Sequence, residues 1–368
     1  MSDLILKNDE RAIFALRSLY TKYGYLPYKM NKFEEYDLYV RNKDFLVSNN
    51  VITFNDTNGR LLALKPDVTL SIIKNSAYQP GCREKVFYNE NVYRVSGATH
   101  QFKEFMQAGL EAIGDIDISD VFEVVYLAAK SLDSISGDYI LDISDMGILS
   151  AIIQEASDDK SFRKELLKLI SEKNKHETAL LCDQYSVSRD AKQKILDLIE
   201  ISGKPKEVLK KLKEYCTSGA TKEYYLKFDK VCQLLLASDV SEHIRIDFSV
   251  VNDMKYYNGI VFKGFLKGIS EGVLSGGEYG ALARRMGKGC EAIGFAIYLD
   301  LLEEIEQNSN EFDVDVLLIY STKTSAETII ATKNKFINKG LSVVSQLKIP
   351  LGLRYKTLVD LDKELKQC

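Results

Sequence analysis

Strand-like sequence occurs in two blocks of this chain, residues 50 to 115 and again from His243, and the long stretch between them is written in helical periodicity. A fold for this chain must therefore tolerate a large helical interruption. Within about 146 to 235, segments such as SFRKELLKLISEK and PKEVLKKLKEYC are charged and amphipathic, the pattern of helices with one apolar face, and the region reads as a helical insertion. The first block contains VITFNDTNGRLLAL, a hairpin around Asp56-Thr57-Asn58-Gly59, followed by KVFYNENVYRV and QFKEFMQAGLEAIG as further strands of an antiparallel sheet. Strand signals return in HIRIDFSVV and YYNGIVFKGFL. An opening helix spans 9 to 24, with Ile13, Leu16, Leu19, Tyr20 and Tyr23 on one stripe, Asn8 or Asp9 able to cap it and Gly24 able to end it. A second helix is expected over 115 to 135, and EAIGFAIYLDLLEEIEQ reads as the helix that closes the core. After about 312, DVDVLLIY begins a separate small α/β unit of strand, helix and short strand.

Composition narrows the function classes. The 368 residues, 45% of them hydrophobic, suffice for two or three domains with buried cores. The 49 basic and 53 acidic residues leave a formal net charge of -4, which lacks the basic footprint of a tight nucleic-acid binder. Six cysteines are scattered without a CxxC pair or a histidine at ligand spacing, so neither a metal site nor a disulfide framework is expected, and no cofactor is implied. Neither a signal peptide nor an apolar run of roughly 18 to 20 residues is present, and the chain reads as a protein of a reducing, cytoplasmic compartment.

Four constellations could carry chemistry. In Phe105-Met106-Gln107-Ala108-Gly109-Leu110-Glu111, strand alternation puts Gln107, Gly109 and Glu111 on one side, with glycine leaving room between an amide and a carboxylate. At about 3.3 Å per residue the two polar groups lie on the order of 13 Å apart, a span suited to both ends of a small polar molecule. The plain alternative is a strand with a solvent-facing polar side. In Leu64-Lys65-Pro66-Asp67-Val68-Thr69 proline ends a strand and VTLSIIKN can start a helix, so Asp67 or Thr69 reads first as a helix cap, a role that does not exclude a ligand contact. Tyr256 and Tyr257 fall on opposite faces of a strand, one ring free to face a pocket. Leu274-Ser275-Gly276-Gly277-Glu278-Tyr279 reads as a Gly-Gly turn followed by a further tyrosine. His100, His176 and His243 have no partners at meaningful spacing and are assigned no role.

Read in order, LALKPDVT, FYNENVYRV with QFKEFMQAGLEAIG, YYNGIVF, SGGEYGAL and AIGFAIYLDLL resemble the ordered motifs of the histidyl-tRNA synthetase catalytic core. The resemblance covers about residues 1 to 310 and is weakest in the insertion. It implies an α+β fold: a class II aminoacyl-tRNA synthetase-like antiparallel sheet flanked by helices, with a helical insertion at about 146 to 235 inside a core of residues 1 to 312. Residues 313 to 368 are similar to the first half of an anticodon-binding domain and are read as a short, truncated C-terminal α/β remnant. It further implies that Asp67, Thr69, Gln107, Glu111, Tyr256, Tyr257 and Tyr279 stand where the family holds free histidine. Carboxylate and amide oxygens there accept from an ammonium and an imidazole N–H.

The departures point away from aminoacylation. Active relatives carry an arginine before the double tyrosine, where this chain has Asn252; a second family arginine that clamps ATP is replaced by Leu301. Asparagine cannot supply the fixed cationic fork that stabilises a transferring phosphate. Arg94 survives in the second-motif loop as a residual phosphate contact, with Lys103 near another arginine position. Selective loss of ATP chemistry with retained histidine contacts resembles the regulatory subunit of ATP phosphoribosyltransferase. That resemblance implies a non-catalytic subunit, required for activity of a separate catalytic subunit and for histidine feedback inhibition in the first step of histidine biosynthesis. It also implies a homodimer within a hetero-octamer, with no membrane and no tRNA partner. Two other readings stay open: a divergent histidyl-tRNA synthetase, and a histidine-binding sensor for another partner.

Overall fold

The computed structural model describes residues 7–43, 51–95, 101–217, 219–251, 256–304 and 312–364. The chain divides into two compact units, Met1–Ile305 and Glu306–Cys368. The first unit opens with α1 (Asn8–Lys22), β1 (Leu26–Pro27), β2 (Phe33–Glu35), α2 (Tyr36–Arg41), β3 (Thr53–Asn55), β4 (Leu61–Leu64) and α3 (Thr69–Asn75). The long hairpin β5 (Arg83–Val95) and β6 (Phe102–Gly114) follows, then α4 (Ile118–Ile135) and β7 (Tyr139–Asp145). The insertion is α5 (Met146–Ala156), α6 (Lys160–Ser171), α7 (Lys175–Gln184), α8 (Arg189–Glu200), β8 (Ser202–Gly203), α9 (Pro205–Tyr215) and α10 (Gly219–Leu236). Strands β9 (Ile244–Asp247), β10 (Ile260–Leu266) and β11 (Leu274–Glu278), helix α11 (Gly280–Arg285) and strand β12 (Glu291–Tyr298) complete the unit.

Nine strands form one sheet in the order β1-β5-β6-β12-β11-β10-β7-β9-β8, antiparallel except where β1 meets β5 and β7 meets β9. Alternation along β6 separates its faces. Ala108, Leu110 and Ala112 join a large core with α1, α4 and the insertion, while Ile113 faces a second core built with Tyr39, Val68, Ile72 and Tyr279. The insertion helices bury Ile152, Phe162, Leu198, Phe228 and Val231 in that same large core. The expected hairpin exists, but β3 and β4 belong to a separate three-stranded sheet in which the central strand β4 also pairs with β2.

Several local expectations are corrected. The cap position of α1 is Lys7, whose backbone N–H donates to Glu10 at 2.9 Å, while Gly24 does end the helix with φ +80°. The tyrosine pair precedes β10 instead of lying within it, so the two rings do not take opposite faces; they touch, with centroids 4.5 Å apart. Gly276 and Gly277 lie inside β11, where a Cβ at 276 would meet Phe295 and Phe262 and one at 277 would meet Tyr257. EAIGFAIY is a strand, because it pairs on both edges, with β11 and β6. An apolar run buried on both faces has no periodicity to separate strand from helix.

The second unit is a parallel sheet in the order β14-β13-β15, formed by β13 (Val314–Ile319), β14 (Val343–Gln346) and β15 (Tyr355–Asp360). Helix α12 (Ala326–Ile337) connects the first two strands, its Ser325 cap accepting from the Thr328 N–H, and α13 (Leu361–Glu364) ends the described chain. Val316, Leu318, Val359 and Leu361 form its core. β15 is a strand not expected from the sequence. No described helix in either unit is long and apolar enough to cross a membrane.

Gly294 in β12 lies opposite Glu111 of β6, and a Cβ there would run into the Glu111 carboxylate and the Leu110 carbonyl oxygen. Backbone cannot yield at that point. Gly294→Ala should lower unfolding free energy by about 1–3 kcal/mol in denaturant titration, the scale of overpacking a filled interior. Unchanged stability would mean that the sheet can open at this point.

Candidate functional site

The turn that carries Asp67 and Thr69 is bolted to β5. Lys65, 1% exposed, forms an ion pair with Glu90; the Tyr93 N–H donates to the Lys65 carbonyl at 2.9 Å, and Arg94 Nε donates to the Pro66 carbonyl at 2.8 Å. Burial pulls the Lys65 ammonium down from its ordinary range, and Glu90 works against that fall. Asp67 Oδ1 accepts from the Leu70 N–H at 2.9 Å, so it does cap the first turn of α3. Thr69 is not a cap. Its hydroxyl donates to Glu111 Oε1 at 2.8 Å and is hydrogen-bonded to the Tyr256 hydroxyl.

Glu111 is the centre of the arrangement. It is 2% exposed, with Tyr279 donating to Oε2 and Thr69 to Oε1. Val86 and Gly294 flank it on the neighbouring strands, and Gly109 leaves space two residues along, where a Cβ would meet Tyr88. Gln107, 3% exposed, stands further along the same face beside Glu90 and Tyr298. The reading of this strand as one with a solvent-facing polar side is thus excluded. Gln107 makes no side-chain hydrogen bond among the described residues, whereas Glu111 has both oxygens engaged.

Electrostatics set the preference of the site. Burial raises the Glu111 carboxyl from 4.5 to about 8, against the lowering effect of its two hydroxyl donors, with Asp67 adding repulsion. Burial also raises Asp67, while its Leu70 partner and the Arg94 charge pull it back. Tyr256, Tyr257 and Tyr279 are held far above the usual phenol range by burial, so they act as neutral donors. A ligand bringing an ammonium or imidazolium would replace the proton on Glu111 and relieve both carboxyls.

Asp67, Thr69, Gln107, Glu111, Tyr256, Tyr257 and Tyr279 come together on this face. The Tyr256 ring meets Tyr257 tilted at 49° and lies 5.9 Å from the Tyr279 ring. Arg94 sits at the rim, its charge acting on Asp67 and Tyr298. Asn252 and His100 lie outside the described residues. Leu301, in a 3-10 turn after β12, is partly buried against the large core and offers no cation. His243 stacks on Tyr139 with centroids 4.0 Å apart and bonds its backbone, a packing role.

Sequence reading missed two contributors. Tyr88 lines the floor, 2% exposed, in register with Gly109; the signal was a tyrosine opposite a glycine, visible only once the pairing of β5 and β6 is known. Glu278, 8% exposed, lies on the opposite face of the sheet. It accepts the Ile260 N–H at 2.8 Å through its side chain and the Asn258 N–H at 3.0 Å through its carbonyl.

The family model described as histidyl-tRNA synthetase matches residues 6–302. Among curated relatives, the ATP phosphoribosyltransferase regulatory subunit of Caldanaerobacter subterraneus subsp. tengcongensis is 30% identical over 291 residues, covering 77% of this chain and 75% of that one. The protein of the same description from Alkaliphilus metalliredigens is 25% identical over 370 residues, covering 96% and 92%. A solved structure from Bacillus halodurans, described as an ATP phosphoribosyltransferase regulatory subunit/histidyl-tRNA synthetase, superposes with TM-score 0.78 at 20% identity over 96% of this chain and 93% of that one. A chain of the ATP phosphoribosyl transferase (HisG:HisZ) complex from Thermotoga maritima superposes with TM-score 0.62 at 22% identity, over 79% and 97%. These last two likenesses establish the class II synthetase-like fold.

The raised carboxyl makes stability depend on pH. Glu111 ionises near 4.5 when unfolded but keeps its proton to about 8 when folded. Its contribution therefore favours the folded chain below about pH 4.5 and is lost as pH climbs to about 8. Asp145, raised by burial to about 7, acts in the same direction. Glu111→Gln should flatten the fall of melting temperature between about pH 5 and 8, recovering on the order of a few kcal/mol at the upper end. A pH profile parallel to that of the parent chain would show that Glu111 ionises freely.

Proposed function

The chain belongs to the ATP phosphoribosyltransferase regulatory subunits, a branch of the histidyl-tRNA synthetase family, and on that premise we propose that it regulates a separate phosphoribosyltransferase subunit by binding free histidine at Glu111. Its own aminoacylation activity is lost. The observation that carries the histidine reading is the buried Glu111 carboxyl, held by Tyr279 and Thr69, on the same strand face as a Gln107 amide that makes no side-chain hydrogen bond among the described residues, with Gly109 and Tyr88 between them.

In this reading the ligand's cationic end takes the proton's place beside Glu111, Gln107 receives the opposite end, and Asp67, Tyr256 and Tyr257 close the sides. The relatives' description as regulatory subunits, and the solved HisG:HisZ assembly, support a catalytic partner for this chain. Homodimers of the synthetase-like core would assemble with that partner in a hetero-octamer in the cytoplasm, without tRNA. Histidine that binds the low-activity arrangement of such an assembly more tightly than the active one shifts the population toward inhibition, and couplings of about 1 to 3 kcal/mol are the usual scale.

Loss of adenylation follows from chemistry. Leu301 stands where the resemblance implies a cation that clamps a nucleotide triphosphate, while Arg94, whose Nε donates to the Pro66 carbonyl, is left as the residual phosphate contact. A neutral side chain supplies none of the charge stabilisation that phosphate transfer needs.

Three measurements test this. Calorimetry on Glu111→Ala should show histidine affinity reduced at least about tenfold, since a charge-assisted contact is worth about 1.5–3 kcal/mol; near-parental affinity would sink the pocket. Histidine-dependent ATP–pyrophosphate exchange should be absent from the purified chain, and clear exchange would restore the synthetase reading. Co-purification with a small phosphoribosyltransferase subunit is the expected result that separates regulation of that enzyme from a sensor role toward another partner.

A further inference from the structure

The helical insertion makes a charged contact with the strand that leads to Tyr279, behind the Glu111 face. Lys227 of α10 places its Nζ 2.5 Å from Glu278 Oε1, with side chains 39% and 11% exposed. Register alignment puts Asp145 of β7, Ile260 of β10 and Glu278 of β11 side by side, pointing toward the helices. Glu278 and Asp145 are thus two carboxylates on one row, and Lys227 is the cation whose charge acts on both.

Glu278 is tied to more than the lysine. Its Oε2 accepts the Ile260 N–H at 2.8 Å, and its carbonyl accepts the Asn258 N–H at 3.0 Å. A Cβ on Gly259 would collide with its carboxylate, so glycine is required for the close approach. The Gly259 carbonyl in turn accepts the Met146 N–H at 2.9 Å, at the start of α5. The turn leaving Tyr256 and Tyr257 is therefore gripped on three consecutive residues, 258 to 260. The next residue after Glu278 is Tyr279, which crosses to the other face and donates to Glu111.

We propose that Lys227 is a positioning residue for the pocket on the opposite face of the sheet: its ion pair with Glu278 fixes the Tyr256–Ile260 turn and Tyr279, and so sets the geometry of Tyr257 and Glu111 for the ligand. This rests on the reading that the Glu111 face binds histidine. Removing the cation leaves Glu278 beside Asp145 with its charge uncompensated, and the cheapest relief is rotation of the Glu278 carboxylate toward water, which releases the Ile260 N–H. The insertion thereby becomes a lever: a partner that shifts α10 alters the pocket without touching it.

The test uses the full chain with Lys227→Met, Lys227→Arg and, as a control for loss of one charge on the same helix, Lys230→Met. Histidine affinity is measured by calorimetry, and amide exchange by mass spectrometry over residues 256–262 and 274–282. Lys227→Met should weaken histidine binding by about 5- to 100-fold, the scale of site coupling, and speed exchange in both segments. Lys227→Arg should restore both, and Lys230→Met should change neither. Parental affinity and exchange in Lys227→Met would overturn the proposal, as would equal effects of Lys227→Met and Lys230→Met. If the parent chain binds no histidine, the histidine reading fails, while the exchange rates still decide whether Lys227 positions the turn.

Discussion

A carboxyl group buried in the middle of a nine-stranded sheet dictates much of what surrounds it. Glu111 cannot be solvated there, so each oxygen needs a donor, and each donor must come from a different part of the chain. Thr69 arrives from the start of α3, Tyr279 from the end of β11. The strand opposite must lack a side chain at that level, hence Gly294, and the position two residues along must admit the Tyr88 ring and the Phe295 carbonyl, hence Gly109. Lys65 and Glu90 exist in their buried pairing because the turn carrying Thr69 has to be fixed against β5.

The two faces of the sheet divide the labour. One carries the polar pocket under the small three-stranded sheet and α3. The other is filled by apolar side chains from α1, α4 and the insertion, apart from the row where Asp145 and Glu278 meet Lys227. Polar groups placed on both faces at nearly the same level make the strand end at Glu278 and Tyr279 the point where the helical layer and the pocket are in mechanical contact. The glycine-lined approach of Gly259 to Glu278 keeps that contact free of side-chain slack.

How far the sequence could be read followed from physical scale. The long amphipathic helices and the β5–β6 hairpin were legible because their periodicities extend over many residues and agree with their turns. That Gln107 and Glu111 share one face of a strand was legible because alternation is local. What failed depended on partners distant in sequence. EAIGFAIY looked helical because a strand buried on both faces shows only continuous apolarity, and its status is settled by β6 and β11. Gly276-Gly277 looked like a turn because the aromatic rings that exclude a side chain there come from Phe262, Phe295 and Tyr257. Tyr256 and Tyr257 were placed on opposite faces by assuming that the strand had already begun. Glu278 carried no local signal at all, since its partners lie on an insertion helix and in a turn before another strand.

The hydrogen bond between Tyr279 and Glu111 spans 168 residues of sequence. It follows that the pocket has an order of assembly imposed by synthesis. A growing chain that has already made Glu111, Thr69 and the whole insertion still lacks one of the two donors for that carboxyl, and β12, with Gly294, comes later still. Until those segments leave the ribosome, Glu111 lacks its Tyr279 donor and the edge of β6 that takes β12 stays unpaired. The binding proposed for the Glu111 face would therefore be a property only of a nearly finished chain, and a fragment ending inside the insertion contains most of those residues without their arrangement.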